Sequence, residues 1–146
     1  MTLRKKSREF ALQMLFQWEM GQQEPSRIEA GFWKNVGAQP STREFANQLF
    51  ENAAARAGEI DPIISTHAKN WRIERMPAID RAILRLAISE LRTAGTPHKV
   101  VINEALELAK KFSSVEAAPF INGILDAVVK SSAEKTPEKT PEKTPE

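Results

Sequence analysis

The sequence contains no cysteine, so disulfides, thiolate nucleophiles and zinc sites with sulfur ligands are excluded. It also has no apolar run approaching the roughly 18 residues that cross a membrane. The N-terminus is basic and then apolar, but polar residues interrupt its apolar part and no small-residue cleavage site follows, so a signal peptide is not predicted. These absences favour a cytoplasmic protein without a disulfide framework.

The chain of 146 residues is long enough for one domain with its own hydrophobic core. Apolar residues recur at helical spacing along most of it, and glycine or proline residues separate the segments. The pattern predicts helices at about residues 2–20, 28–36, 41–57, 62–71, 77–94, 98–112 and 119–130. No stretch has convincing strand alternation, so the sequence predicts an all-α fold.

Two breaker signals lie between the third and fourth predicted helices. Gly58 is placed as the C-terminal cap of the third helix. Asp61 followed by Pro62 is typical of an N-cap and a proline at the first helical position, where its missing N–H costs nothing. We therefore expect the fourth helix to begin at Pro62.

The C-terminal sequence EKTPEKTPEKTPE repeats a four-residue unit and contains no apolar residue. Such a segment buries too little apolar surface to offset the entropy lost on ordering. We expect a folded domain over residues 1–131 and a disordered charged tail over residues 132–146.

The segment FINGILD combines two conflicting signals. Asn122-Gly123 is typical of a hairpin turn, but the apolar residues around it recur at helical spacing, which favours a helix. A glycine inside a helix costs about 0.5 to 1 kcal/mol relative to alanine. We hypothesise that Gly123 lets this helix approach a neighbour closely and that Asn122 hydrogen-bonds across the contact.

Four basic residues lie near the start of the first predicted helix: Arg4, Lys5, Lys6 and Arg8. The overall net charge of +2 is too small to indicate a nucleic-acid partner by itself, so the distribution of charge matters more. Basic side chains on an accessible helix end give sequence-independent affinity for phosphates. The alternative is a solubilising terminus, and composition leaves both open.

Residues suited to catalysis or metal binding are few. His67 and His98 are far apart and lack the close spacing of a helical zinc pair. Glu104 and Glu107, followed by Lys110, fit a solvated helix face with charge pairs better than an acid–base pair. The sequence also lacks a dinucleotide-binding glycine motif, a P-loop and a serine-nucleophile turn. We expect no enzyme activity, no cofactor and no metal.

Phe120 lies at the start of the last predicted helix, shortly after the lysines that end the previous one. A partly exposed aromatic ring at this position can stack on a splayed base. Packing in the core is the simpler alternative.

The segments ALQMLFQWEM, AIDRAILRLAISEL, PHKVVINEALELAKKF and FINGILDAVV follow one another in an order and spacing that resembles the NusB family of transcription antitermination factors. The likeness extends from about Arg4 to Lys130. It implies a compact bundle of about seven helices in two subdomains, without catalytic activity. It also implies binding to the boxA RNA of ribosomal RNA transcripts together with the ribosomal protein NusE, within an RNA polymerase antitermination complex. A homodimer of the free protein is compatible with the resemblance.

The resemblance assigns eight residues to two surfaces. The RNA-binding residues would be Arg4, Lys5, Lys6, Arg8, Glu116 and Phe120, and the NusE-binding residues would be Phe16 and Asp80. The family often has tyrosine where Phe16 stands, so a hydroxyl hydrogen bond would be lost while the apolar contact survives. Lysine stands where the family has arginine in part of the basic cluster. This keeps the positive charge but loses the two parallel hydrogen bonds that a guanidinium can donate.

Two other functions compete with this one. The chain could be a helical adaptor that binds only protein partners. It could also be an RNA-targeting module related to the N-terminal domain of ribosomal RNA cytosine methyltransferases. The absence of a cofactor-binding segment and of cysteine favours the stand-alone factor over the methyltransferase reading.

Overall fold

Helices account for the regular structure of this computed structural model, which describes residues 3–68 and 72–139. The elements are α1 (Leu3–Gly21), α2 (Pro25–Asn35), α3 (Pro40–Ala55), α4 (Ala57–His67), a 3-10 turn (Ile73–Arg75), α5 (Ala78–Thr93), α6 (His98–Phe112) and α7 (Ala117–Lys139). The described residues contain no strand, and the all-α prediction is confirmed. Among the same residues, no helix is long and apolar enough to cross a membrane.

Helix α5 lies at the centre of the molecule and connects two groups of helices. Helices α1, α2 and α3 pack together, while α4, α6 and α7 pack around α5, which also contacts α1 and α3. Every residue from Ala82 to Glu90 is buried, as expected for a helix surrounded by others. The two groups correspond to the two expected subdomains, and one continuous hydrophobic core joins them.

The start of the fourth helix was predicted wrongly. Helix α4 begins at Ala57, so Gly58 lies inside it instead of capping α3, and Pro62 occupies the helix interior. A proline there removes one backbone hydrogen bond. Ala57, Ile60 and Ile64 form a buried stripe along α4, and burial of this apolar surface offsets the lost bond. The helix ends at His67, and the expected end near Trp71 falls outside the described residues.

Helix α7 begins two residues before Pro119, where we expected it to start. The Ser114 side chain accepts a hydrogen bond of 3.1 Å from the backbone N–H of Ala117 and so satisfies one of the free donors at the helix start. At its other end, α7 continues through residues 132–139, where we expected a disordered tail. Residues 140–146 lie outside the described residues, and the division into a domain and a tail stays a prediction.

The hypothesis that Gly123 permits close packing is wrong. Gly123 and Asn122 are both exposed on α7. A Cβ atom added to Gly123 would meet no side chain and no other helix within 4 Å. The propensity cost of this glycine is therefore not offset by packing within the described part of the chain.

Candidate nucleic-acid interface

The first turn of α1 presents Arg4 at the surface. The Arg4 guanidinium lies 3.9 Å from the centre of the Phe45 ring on α3. This cation–π contact holds the side chain against the protein without neutralising its charge. Arg4 is exposed and therefore accessible to a phosphate.

Three lysines line or border a shallow cleft between α1 and α6. Lys5 Nζ lies 3.2 Å from Glu104 Oε1, and Lys111 Nζ lies 3.0 Å from Glu9 Oε2. Lys6 Nζ approaches the other oxygen of Glu9 at 3.7 Å. The cleft has a volume of about 140 Å³, and its lining consists of Lys5, Glu9, Glu104, Glu107, Leu108 and Lys111. Lysines from two helices thus meet on one surface, each held by a carboxylate.

Arg8 differs from the other members of the basic cluster because it is only 5% exposed. Its Nε donates to Glu90 Oε1 at 2.9 Å, and its Nη2 donates to Glu90 Oε2 at 2.5 Å. Burial alone would lower the pKa of Arg8, but the hydrogen bond to Glu90 and the negative charges of Glu90 and Glu104 outweigh it and raise the pKa. Arg8 is therefore used in the contact between α1 and α5, and it is not presented to solvent as the other three basic residues are.

The remaining two residues expected at the RNA surface lie near the start of α7. Glu116 is exposed in the short connection after α6, and Lys111 belongs to the last turn of that helix. Phe120 is half-buried and packs against the hydrophobic core. The ring therefore has both a core-packing role and an accessible part.

The two residues expected at the NusE surface have different environments. Phe16 is half-buried on α1, and Met20, one turn further along, is 57% exposed. Asp80 is only 5% exposed, and its Oδ1 accepts a hydrogen bond of 2.6 Å from the Ser113 hydroxyl. The Asp80 carboxylate therefore holds the end of α6 against α5.

A cluster of four charged residues, which the sequence did not predict, joins α1, α4 and α5. Arg85 donates to both carboxylate oxygens of Asp61 at 2.8 and 2.7 Å, and it also contacts Glu19. Arg81 donates to Glu19 at 2.5 Å and to the backbone oxygens of Ile73 and Met76. Arg81 and Arg85 are four residues apart on one helix, which indicates that they share a face. The sequence did not identify their partners on other helices.

The same surfaces lack the ligand groups of a metal site. No cluster of three or more histidine or carboxylate side chains suited to a metal ion occurs among the described residues. Glu104 is instead paired with Lys5, and Glu9 is paired with Lys6 and Lys111.

Comparison with known proteins gives this arrangement a family context. The model of the NusB family matches residues 5–130. The chain belongs to the NusB family. It is 50% identical over 129 residues to the transcription antitermination protein NusB of Koribacter versatilis, and the match covers 87% of this chain and 88% of that protein. It is 41% identical over 136 residues to the NusB of Solibacter usitatus, covering 92% and 93%.

Solved NusB structures have the same fold. The chain superposes on NusB of T. maritima with a TM-score of 0.79 and 29% identity, covering 88% of this chain and 92% of that one. It superposes on a chain from a crystal structure of the antitermination factors NusB and NusE in complex with dsRNA with a TM-score of 0.80 and 29% identity, covering 90% and 98%. The resemblance to the NusB family is therefore confirmed over nearly the whole chain.

Proposed function

We propose that this NusB-family protein acts in the cytoplasm as a transcription antitermination factor. It binds the boxA RNA of ribosomal RNA transcripts together with NusE and joins an RNA polymerase antitermination complex. It works by binding and not by catalysis. The observation that carries the proposal is the set of accessible cations at the start of α1 and the end of α6, on a fold that also occurs in a complex of NusB, NusE and dsRNA.

The lysines around the cleft supply the electrostatic part of RNA binding. The Lys6 side chain is 46% exposed and the Lys111 side chain is 53% exposed, so both can reach a phosphate while their stems stay on the protein. Arg4 adds a third accessible cation. Such contacts position the RNA without reading its sequence. We therefore assign Arg4, Lys5, Lys6 and Lys111 to phosphate contacts and expect Arg8 to support them indirectly through the fold.

Phe120 and Glu116 are the candidates for contacts with bases. The accessible part of the Phe120 ring can stack on an unpaired base, and the Glu116 carboxylate can accept a hydrogen bond from a base amino group. Stacking on an aromatic ring contributes about 1 to 3 kcal/mol per base. Sequence selectivity is therefore expected to depend on these two residues more than on the lysines.

NusE is expected to bind the opposite end of α1. Phe16 and the exposed Met20 give this end an apolar surface, which suits a protein partner. Asp80 contributes by fixing Ser113 and the connection to α7, on which Glu116 also lies. This hydrogen bond joins Asp80 to the connection that carries Glu116.

The first experiment is to measure binding of a labelled boxA-like RNA and a scrambled RNA, with and without purified NusE, at two salt concentrations. We expect selective binding of the boxA-like RNA that tightens with NusE and weakens at higher salt. Phe120→Ala should weaken binding of the boxA-like RNA more than that of the scrambled RNA. Equal weak binding of both RNAs, unaffected by NusE, would contradict the proposal and favour an adaptor that binds only proteins.

A matched pair of lysine variants tests which surface the RNA contacts. Lys6→Met removes a cation from the border of the cleft, whereas Lys130→Met removes an exposed cation from α7 that pairs with Asp126 one turn away. Both variants change the net charge by the same amount. Lys6→Met should weaken RNA binding clearly more than Lys130→Met, and equal effects would mean that the RNA does not bind at the cleft.

A further inference from the structure

Carboxylates hold the lysines of the proposed RNA surface before any RNA binds. Glu104 lies within 3.3 Å of Lys5 through both of its oxygens, and Glu9 contacts Lys6 and Lys111. With Glu107, three carboxylates line the cleft, and they are unfavourable for a polyanion because phosphate oxygens and carboxylates repel each other at short range. This feature therefore opposes the function proposed above.

The Lys5–Glu104 pair and the Lys111–Glu9 pair both join α1 to α6. Helix α1 packs mainly on α3 and α5, helix α6 packs mainly on α7 and α5, and the cleft separates α1 from α6 at the surface. The Glu104 side chain retains some exposure, so solvent and a phosphate can reach the pair. Such a partly exposed ion pair contributes little to folding and can open at small cost.

We infer that Glu104 competes with RNA phosphates for Lys5 and so restrains sequence-independent RNA binding. The inference rests on the proposed function, since it requires RNA at the cleft. A phosphate that binds Lys5 must first displace the Glu104 carboxylate. An RNA that makes only backbone contacts then gains little from this lysine, whereas an RNA that also makes base contacts stays bound.

Glu107 provides a matched control for Glu104. It lines the same cleft one turn further along α6 and carries the same charge. Among the described residues, no ion pair of Glu107 with a lysine is present at the cleft, whereas Glu104 is paired with Lys5. Glu104→Gln and Glu107→Gln therefore remove the same charge, and only the first also removes a carboxylate that is paired with a lysine.

The test is a double-mutant cycle with Lys5→Met, Glu104→Gln and the double variant, using the labelled boxA-like and scrambled RNAs at the lower salt concentration. We expect Glu104→Gln to tighten binding of the scrambled RNA by about two- to five-fold, the range that an exposed ion pair supports. In the Lys5→Met background, Glu104→Gln should have no such effect. Thermal unfolding of each variant checks that the fold is retained.

Each outcome bears on the inference in a defined way. Equal tightening by Glu104→Gln with and without Lys5, or equal tightening by Glu107→Gln, would show a general charge effect and overturn it. Selective binding of boxA-like RNA by the wild type, without any gain from Glu104→Gln, would overturn the inference and leave the proposed function standing. If neither the wild type nor any variant binds either RNA, both are overturned.

Discussion

Helix α1 forms two kinds of ion pair, and they differ in residue type and in burial. Towards α5, arginines make the contacts: Arg8 with Glu90, and Arg81 and Arg85 with Glu19. Towards α6, lysines make them: Lys5 with Glu104 and Lys111 with Glu9. The arginine pairs are largely buried, whereas each lysine pair has at least one side chain that reaches solvent.

The choice of residue fits the burial of each contact. The planar guanidinium makes two parallel hydrogen bonds to one carboxylate, which compensates for the loss of water around a buried charge. A lysine ammonium is a strongly hydrated point charge and exchanges partners easily in solvent. We conclude that the arginine pairs hold the helices together, while the lysine pairs are available to an external anion. Substitutions in the two kinds of pair should therefore differ in their effect on stability.

Removing the buried arginine should have the largest effect. Arg8→Met leaves Glu90 buried without a cation, and we expect the free energy of unfolding to fall by about 3 to 5 kcal/mol. Lys5→Met breaks a partly exposed pair, and the loss should stay below about 1 kcal/mol. Urea unfolding of both variants measures the difference. Equal losses would remove the distinction between the two kinds of pair.

Exchanging the two cations should give a smaller effect. Arg8→Lys keeps the charge beside Glu90 but cannot make both hydrogen bonds, and we expect a loss of about 1 to 3 kcal/mol in unfolding free energy. Lys5→Arg should change stability by less than about 0.5 kcal/mol because the site is open to solvent. The same urea experiments apply. A harmless Arg8→Lys substitution would show that charge alone maintains the buried contact.

Gly123 lies on the exposed face of α7, where no neighbouring side chain opposes a larger residue. Gly123→Ala should raise the unfolding free energy by about 0.5 to 1 kcal/mol, because alanine favours the helix and meets no neighbour. Gly95→Ala is the control, since Gly95 has a φ of 69°, which alanine adopts only with strain, and it should be destabilising. Thermal unfolding of both variants should give shifts of opposite sign, and a destabilising Gly123→Ala would contradict the description of this face.

Glu29 on α2 and Glu51 on α3 bring two carboxyl groups together, in contrast to the ion pairs of opposite charge described above. Burial, a hydrogen bond with Glu51 and the charge of Glu51 raise the pKa of Glu29 from its ordinary value of 4.5 to about 8. The folded state favours the protonated form of the Glu29 carboxyl. The stability that Glu29 contributes is therefore complete below about pH 4.5 and is lost as the pH rises through about 8.

Glu29→Gln should therefore stabilise the protein relative to the wild type more at pH 9 than at pH 5. Glu44→Gln removes an exposed carboxylate from the neighbouring helix α3 and serves as the control. Melting midpoints of both variants and the wild type at the two pH values measure the effect. A difference for Glu29→Gln that does not change with pH would show that the like-charge pair does not influence folding.

Helical periodicity predicted correctly which segments are helices. It did not predict where a helix begins when a glycine or proline suggests one boundary and burial of apolar residues favours another. The predicted start at Pro62 followed a common local rule, but burial of Ile60 and Ile64 extends α4 back to Ala57. Gly123 in turn was expected in a tight contact and lies exposed. In both cases the local preference of the residue was identified correctly. The neighbouring residues that decide its role in the fold could not be identified from the sequence.

The sequence by itself determined that this chain is helical, and its motifs were sufficient to indicate the NusB family, because both properties depend on residue types and short spacings along the chain. The tertiary structure alone decided how the basic cluster at the start of α1 is divided. It buries Arg8 against Glu90 and leaves Lys5 and Lys6 near solvent. The physical reason is that burial and ion pairing depend on residues about 80 to 100 positions away, which no local pattern specifies.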